Sequence, residues 1–100
     1  MDKKQLRTIG HHLNPVVTVA GGGLSDGVTA EIERALDDHE LIKIKLAIED
    51  REQRRSIAEE ICSAANAELV QSIGKVVLIL RKHQSPNPKT SNLVRYLTHL

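Results

Sequence analysis

Apolar residues near the start of the chain recur at helical spacing and then give way to a β-branched run. One apolar stripe surrounded by polar residues predicts a helix over residues 3–13. Its members are Leu6, Ile9 and Leu13. Pro15 cannot continue a helix, and the run 16–20 is rich in residues that favour strands. The first two elements are therefore predicted to be a helix and a strand.

Two further elements follow a run of three glycines. Ser25 is a good N-cap for a second helix, because its side chain can accept a hydrogen bond from the helix start. Residues 41–48 then alternate between apolar and polar positions, which predicts a strand with one face in the core. Lys43 and Lys45 lie on the other face, where a lysine must reach water or an anion.

The remaining pattern predicts a third helix and a β-hairpin. Asp50 is placed to cap the helix, and Asn66 can end it in the left-handed conformation. Two strands, 68–72 and 76–81, are joined by a tight turn around Gly74. The second strand contains an unbroken hydrophobic run, which predicts a central position in the sheet. The order αβαβαββ predicts an α/β protein, α+β-like with two layers, in which helices cover a four-stranded mixed sheet.

The chain beyond His83 differs in composition. Residues 84–91 contain two prolines and are predicted to be a linker. Four apolar positions then indicate a short terminal helix: Leu93, Val94, Leu97 and Leu100. At this length we expect one domain over residues 1–83, a linker and short tail over residues 84–100, and a monomer.

Charge is unevenly distributed, although the net charge is only +1. Residues 1–25 carry three basic side chains and one acidic, residues 26–68 carry six and twelve, and residues 69–100 carry five and none. If the two ends lie on one side of the fold, they form a cationic surface that the net charge hides. Tyr96 is the only Phe, Trp or Tyr, so the chain lacks the aromatic platform on which RRM and OB-type domains stack bases.

Few residues point to catalysis, a metal or a cofactor. Cys62 has no second thiol for a disulfide or a CxxC zinc site, which fits a reducing, cytoplasmic location. His11 and His12 are adjacent and have no ligand partner one helical turn onward, so we expect no metal and no cofactor. No stretch approaches the roughly 20 apolar residues of a membrane span. No acid–base pair stands out, which makes an enzyme the least favoured class.

The junction between the first strand and the second helix is the most informative segment. Gly21, Gly22 and Gly23 allow a ligand to approach the backbone closely, and the helix beginning after Ser25 offers free N–H groups with partial positive charge. Both features favour a phosphate, although a tight strand-to-helix turn also explains the glycines. The run lacks the GxGxxG spacing and the Gly-Lys-Ser/Thr ending of nucleotide-binding loops.

Five short segments have the order and spacing of a known family: 11–17 (HHLNPVV), 23–28 (GLSDGV), 39–45 (HELIKIK), 49–51 (EDR) and 71–75 (QSIGK). Together they resemble the CRM domain (chloroplast RNA splicing and ribosome maturation), in its stand-alone bacterial YhbY-type form. The resemblance covers about residues 3–82. It implies an RNA-binding domain, not an enzyme, similar in fold to the C-terminal domain of bacterial translation initiation factor 3. It also implies an association with ribosomal RNA in precursors of the large ribosomal subunit.

The family's GxxG loop, which is similar to that of KH domains, falls on residues 20–23, with Ala20 at its first position. Asn14 stands where the family often has lysine. We expect loop amides and nearby basic residues to hold RNA phosphates, with recognition of shape and weak sequence preference. The candidate RNA-binding residues are Lys3, Lys4, Arg7, His11, Gly21, Gly22, Gly23, Ser25, Lys43, Lys45, Arg51 and Lys75.

Two alternatives stay open. The basic residues at the start of the third helix, Arg51, Arg54 and Arg55, can bind phosphates or pair with acidic neighbours on the same helix. The competing function is a protein-interaction module, in which residues 93–100 or an apolar sheet face docks a ribosomal or assembly protein. Salt dependence separates the two functions, because phosphate contacts release counterions and an apolar contact does not.

Overall fold

The computed structural model describes residues 1–98 of the chain. Its elements follow the predicted order and add the terminal helix: α1 Lys3–His11, β1 Pro15–Val19, α2 Asp26–His39, β2 Leu41–Leu46, α3 Arg51–Ala65, β3 Glu68–Ile73, β4 Val76–Leu80 and α4 Asn92–Thr98. α1 ends earlier than predicted, because the N–H groups of His12 and Leu13 donate three residues back, to the carbonyls of Ile9 and Gly10, and close the helix in a tight final turn. Leu13 then packs against an apolar cluster from the connection to β1. Within the described range, no helix is long and apolar enough to cross a membrane.

The strands form one mixed sheet in the order β1-β2-β4-β3. β1 and β2 are parallel, with α2 as the crossover, and β4 runs antiparallel to both β2 and β3. The predicted central position of β4 is confirmed, and so is the β3–β4 hairpin, in which Gly74 has a φ of 56°. Leu46 pairs with Val19, and its N–H donates to the carbonyl of Lys75. The carboxyl ends of β1 and β2 therefore lie at the same edge of the sheet as the hairpin turn.

The larger core lies between one face of the sheet and the helices α2 and α3. The predicted apolar face of β2 is buried here, together with side chains from both helices: Ile32, Ala35, Leu36, Ile42, Ile44, Leu46, Ile57, Ala58 and Ile61. Burying one such aliphatic side chain fully stabilises the fold by about 1.5–3 kcal/mol. An aliphatic core of this kind is what a chain without Phe or Trp requires.

Three predicted capping positions are confirmed, at the start of α2 and at both ends of α3. Ser25 Oγ accepts a hydrogen bond from the N–H of Val28 at 3.2 Å, at the start of α2. Asp50 caps α3 through the N–H of Glu52 at 3.0 Å. Asn66 ends α3 in the left-handed conformation, with a φ of 52°.

The opposite face of the sheet is also covered, so the protein has a third layer beyond the two predicted. α1 and α4 pack there in a second apolar cluster: Leu6, Ile9, Leu41, Val70, Leu78, Leu80 and Leu93. The unbroken hydrophobic run of β4 is the physical reason for this third layer. Its side chains alternate between the two faces, so Leu78 and Leu80 are buried on one face and Val77 and Ile79 on the other. Near the hairpin turn this face is less covered, and Lys45 and Ile73 are exposed there.

The segment after β4 is anchored to the end of α2. Glu40 follows that helix with a φ of 61° and is only 4% exposed. Its carboxylate accepts hydrogen bonds from Ser91 Oγ at 2.6 Å and from the N–H of His83 at 2.7 Å. Leu93 of α4 is buried in the second cluster, so the predicted terminal helix is present; Leu100 of that pattern lies outside the described residues.

Candidate nucleic-acid interface

α1 lies directly on the sheet and brings N-terminal basic residues to it. Asp2 and Gln5 form a capping box at its start, each side chain accepting a hydrogen bond from the other's backbone N–H at 2.8–2.9 Å. Gly10 faces β4, where a Cβ would come within 2.5 Å of Leu78 Cδ2. From the sequence, Gly10 only weakens the last turn of the helix. In the structure it permits this close approach.

Lys43 and Lys45 project from the face of β2 on which α1 packs. Leu41, two residues earlier, is buried in the second cluster, whereas Lys43 is half-buried and Lys45 is exposed. The predicted division of β2 into an apolar face and a lysine face is confirmed. Neither ammonium group forms an ion pair with another residue of the range 1–98.

A groove of about 300 Å³ lies between α1, β2 and the β3–β4 hairpin, and we call it the α1 groove. Three basic side chains and a neutral, mainly apolar floor line it: Arg7, His11, Lys43, Gln71, Ile73, Val76 and Leu78. None of these residues is acidic, and Arg7 has no carboxylate partner in the described part of the chain. Three of the predicted site residues therefore meet at one groove.

The four hairpin residues of the α1 groove were not predicted as site residues. The alternation of side chains along β3 and β4 predicts which of these four residues share a face of the sheet. It does not predict that α1 packs beside that face, because α1 is more than 50 residues away in the sequence. The remaining α1 candidates, Lys3 and Lys4, are exposed, and Lys3 precedes Arg7 by four residues on the same helical ridge.

The glycine loop, residues 20–24, lies at the carboxyl end of β1 and does not line the α1 groove. The N–H of Gly23 donates to the carbonyl of Ala20 at 3.1 Å, and Gly23 has a φ of +83°, which favours glycine. Ala20 has no positive φ, so alanine causes no backbone strain at this position. Gly21 and Gly22 are exposed and also lack positive φ, and a Cβ on either would meet nothing within 4 Å. The described fold therefore requires glycine at neither position, and both leave the backbone open to a ligand.

Lys75 has a partner within the chain. Its Nζ donates to Glu49 Oε1 at 2.6 Å, which links the hairpin turn to the loop before α3. That hydrogen bond, and then the charge of the ammonium group, holds the pKa of the Glu49 carboxyl below its ordinary value. A phosphate would have to compete with this carboxylate for Lys75.

Arg51 lies on the other side of the sheet from Lys43. It lines a second groove, between α3 and the β3–β4 hairpin, together with Arg54 and Arg55. Arg54 donates to two backbone carbonyls before α3 at 2.7–2.8 Å, and Arg55 pairs with Glu59 at 3.6 Å. Two of these three arginines are thus engaged within the fold, and the sheet separates Arg51 from the α1 groove.

Arg81 contributes to the basic C-terminal charge but serves the fold. Its guanidinium pairs with Glu33 at 2.7 Å and Asp37 at 2.9 Å, and it donates to the carbonyl of Ala65 at 2.9 Å. These contacts join α2 to the end of α3. α1 and α4 do pack together, so the two ends share one side, but Arg81 adds no free charge to it.

Metal binding and thiol chemistry concern the His, Cys, Asp and Glu side chains of the described range. No group of three His, Cys, Asp or Glu residues among residues 1–98 is arranged to hold a metal ion. Partial burial raises the pKa of the Cys62 thiol, which keeps it in the less nucleophilic protonated form at neutral pH. Of the apolar residues considered for protein docking, Leu93 is buried, while Leu97 is 56% exposed.

Comparison with known proteins agrees with this architecture. The model of the CRS1 / YhbY (CRM) domain matches residues 1–81. A probable RNA-binding protein of Pseudomonas aeruginosa is 54% identical over 94 residues, which cover 94% of this chain and 90% of the relative. An RNA-binding protein of Haemophilus influenzae is 48% identical over 79 residues, covering 79% of this chain and 80% of the relative.

A solved structure has the same fold. It is the solution structure of a hypothetical Staphylococcus aureus protein, described as "a putative RNA binding protein". The superposition has a TM-score of 0.75 at 28% sequence identity and covers 89% of this chain and 92% of the other. The family match over residues 1–81, the two similar relatives and the shared fold show that this chain belongs to the CRS1/YhbY (CRM) domain family.

Proposed function

We propose that this protein binds RNA through the α1 groove and the glycine loop, and that its target is ribosomal RNA in precursors of the large ribosomal subunit. The main support for this proposal is the α1 groove, where Arg7, His11 and Lys43 meet without an acidic residue, although the net charge of the chain is only +1. A cation that has no carboxylate partner within the protein needs water or an external anion, and RNA supplies closely spaced phosphates.

The two parts of the proposed interface act differently on a phosphate. Arg7 and Lys43 supply charge, and the arginine can hold a phosphate through two parallel hydrogen bonds. The exposed backbone at Gly21 and Gly22 can approach phosphate oxygens more closely than a residue with a side chain allows. Lys3, Lys4 and Lys45 extend the positive surface from α1 and β2. Lys75 remains a candidate in the hairpin turn, and Arg51 remains one on the other side of the sheet.

The choice of ribosomal RNA rests on family membership, since stand-alone CRM proteins are expected on large-subunit precursors. Recognition is expected to depend mainly on RNA shape and phosphates, because the chain has one Tyr and neither Phe nor Trp for base stacking. The protein acts as a monomer in the cytoplasm, where the lone Cys62 remains reduced. The names of the relatives describe RNA binding, and the proposal includes no catalytic step.

The test compares two sets of charge reversals that change the net charge equally. The first variant combines Lys3→Glu, Lys4→Glu and Arg7→Glu on α1. The control combines Arg34→Glu, Lys82→Glu and Lys89→Glu, which are exposed and outside the α1 groove. Fluorescence anisotropy with a labelled fragment of large-subunit ribosomal RNA should show at least a tenfold weaker affinity for the α1 variant, about 1.4 kcal/mol, and a much smaller change for the control.

Salt dependence and a second RNA complete the test. If four to six phosphates are contacted, the logarithm of the association constant should fall with the logarithm of salt concentration with a slope of about −3 to −4. A slope near zero, or equal losses in both variants, would overturn the proposed RNA interface. Equal affinity for an unrelated structured RNA of the same length would overturn the ribosomal target and leave RNA binding in place.

A further inference from the structure

The floor of the α1 groove has a composition that phosphate binding does not need. Ile73 is 65% exposed although it is a large apolar residue, and Val76 is half-buried beside it. Gln71 is half-buried, and its side-chain amide forms no hydrogen bond with any residue in the range 1–98. A phosphate is held by hydrogen-bond donors and positive charge, and the side chains of Ile73 and Val76 supply neither. Here an apolar surface and a free amide lie beside the basic side chains, since Lys43 and Gln71 flank Leu78 on neighbouring strands.

We infer that the α1 groove holds the base of one unpaired nucleotide, so that the protein distinguishes RNA with an unpaired nucleotide from fully paired RNA. This inference rests on the proposed function and names the class of RNA that the site selects. It adds a contact with a base to the backbone recognition expected from the sequence.

The size of the groove fits one nucleotide. Its volume of about 300 Å³ is at the lower end of the range of small-molecule sites, roughly 300–1,000 Å³. A paired RNA helix buries its base faces inside the stack and offers a groove mainly backbone and 2′-hydroxyls. Only a base that has left the stack can place its ring on Ile73 and Val76.

The chemistry of the lining fits the same occupant. The Gln71 amide offers both a donor and an acceptor, which match the edge of a base exposed by the loss of pairing. The Arg7 guanidinium and the His11 imidazole are flat groups on which a base can stack without Phe, Tyr or Trp. Lys43 supplies a charge for the nucleotide's phosphate. An acidic peptide would satisfy the cations but would leave both the amide and the apolar floor without a specific partner.

The experiment uses the full chain and two RNA hairpins that differ only in one bulged nucleotide within the stem. The test variants are Gln71→Ala, which removes the amide, and Ile73→Ser, which removes the apolar floor. Leu69→Ser is the matched control, because Leu69 is an exposed apolar residue of the same strand that lines the groove on the opposite face. Affinities are measured by anisotropy at low salt.

The unaltered protein should bind the bulged hairpin about tenfold more tightly than the paired one. Gln71→Ala and Ile73→Ser should each remove most of this preference, by weakening binding of the bulged hairpin more than binding of the paired one, whereas Leu69→Ser should keep the preference. Equal binding of the two hairpins, or a preference that survives both test variants, would overturn the inference. Failure to bind either hairpin would instead refute the proposed function. Displacement of the bulged RNA by a polyglutamate peptide but not by adenosine monophosphate would favour an acidic protein segment as the occupant.

Discussion

Replacing Gly22 by aspartate separates a phosphate-binding glycine loop from a simple turn. Gly22 is exposed, has no positive φ, and has open space where a Cβ would lie. The substitution therefore introduces a negative charge into the loop without a steric clash. If RNA phosphates approach this backbone, the new carboxylate repels them at short range.

The expected magnitudes follow from this geometry. Gly22→Ala should leave stability unchanged or raise it by about 0.4–1 kcal/mol, because alanine fits the native φ and restricts the unfolded chain. Gly22→Asp should change stability by no more than about 0.5 kcal/mol, as at other exposed positions. Its RNA affinity should fall at least tenfold, which corresponds to about 1.4 kcal/mol. Gly22→Ala should lose less affinity, because it adds bulk and no charge.

Urea unfolding and RNA anisotropy, measured on the same preparations, check both magnitudes. Gly23→Ala is the comparison for the effect of a loop substitution on stability. The φ of Gly23 is +83°, so alanine at this position should lower the stability of the fold by about 1–2 kcal/mol. Normal RNA binding by a folded Gly22→Asp protein would refute a role for the loop in phosphate binding. The loop would then be only the connection between β1 and α2, and the interface would be confined to α1, β2 and the hairpin.

Two further predictions concern stability. In urea unfolding, Gly10→Ala should be less stable than Gly27→Ala by about 1–3 kcal/mol. A Cβ at Gly10 would come within 2.5 Å of buried Leu78, whereas a Cβ at Gly27 would have its nearest atom 3.9 Å away. Equal stability of the two variants would show that α1 does not lie so close to β4. The pKa of Glu49 is lowered in the folded state, so the ionised carboxylate stabilises the fold above its ordinary pKa of 4.5, and this effect is lost as the pH falls through the lower folded value. The small difference in stability between the unaltered protein and Lys75→Met should therefore disappear in acid. A difference that persists unchanged in acid would contradict the assigned ion pair.

The elements that the sequence predicted well are those set by neighbouring residues. Ser25, Asn66 and Gly74 each act within a few positions of themselves, so a cap, a helix end and a hairpin turn follow from local chemistry. The alternation along β2 likewise requires only the strand itself. The third layer was not predicted, although the unbroken apolar run of β4 indicates a strand that is covered on both faces.

The parts that were not predicted depend on contacts between distant segments. Glu40 and Ser91 are 51 residues apart, and no local pattern marks a buried carboxylate as the anchor of the tail. Arg81 meets Glu33 over 48 residues, so its charge could not be assigned to the fold in advance. The α1 groove has the same origin, since Arg7 and Gln71 meet only after the sheet and α1 have packed together.

Some glycines and basic residues of this chain are required by the fold, and others are free to contact a ligand. Gly10, Gly23 and Gly74 are each explained by a close approach or a positive φ within the chain. Gly21 and Gly22 have neither explanation, although glycine lowers stability by enlarging the freedom of the unfolded chain. Among the cations, Arg81 and Lys75 have carboxylate partners, whereas Arg7 and Lys43 have none in the described range. Positions that the fold does not explain are where function is expected, and they include Gly21 and Gly22 of the glycine loop and Arg7 and Lys43 of the α1 groove.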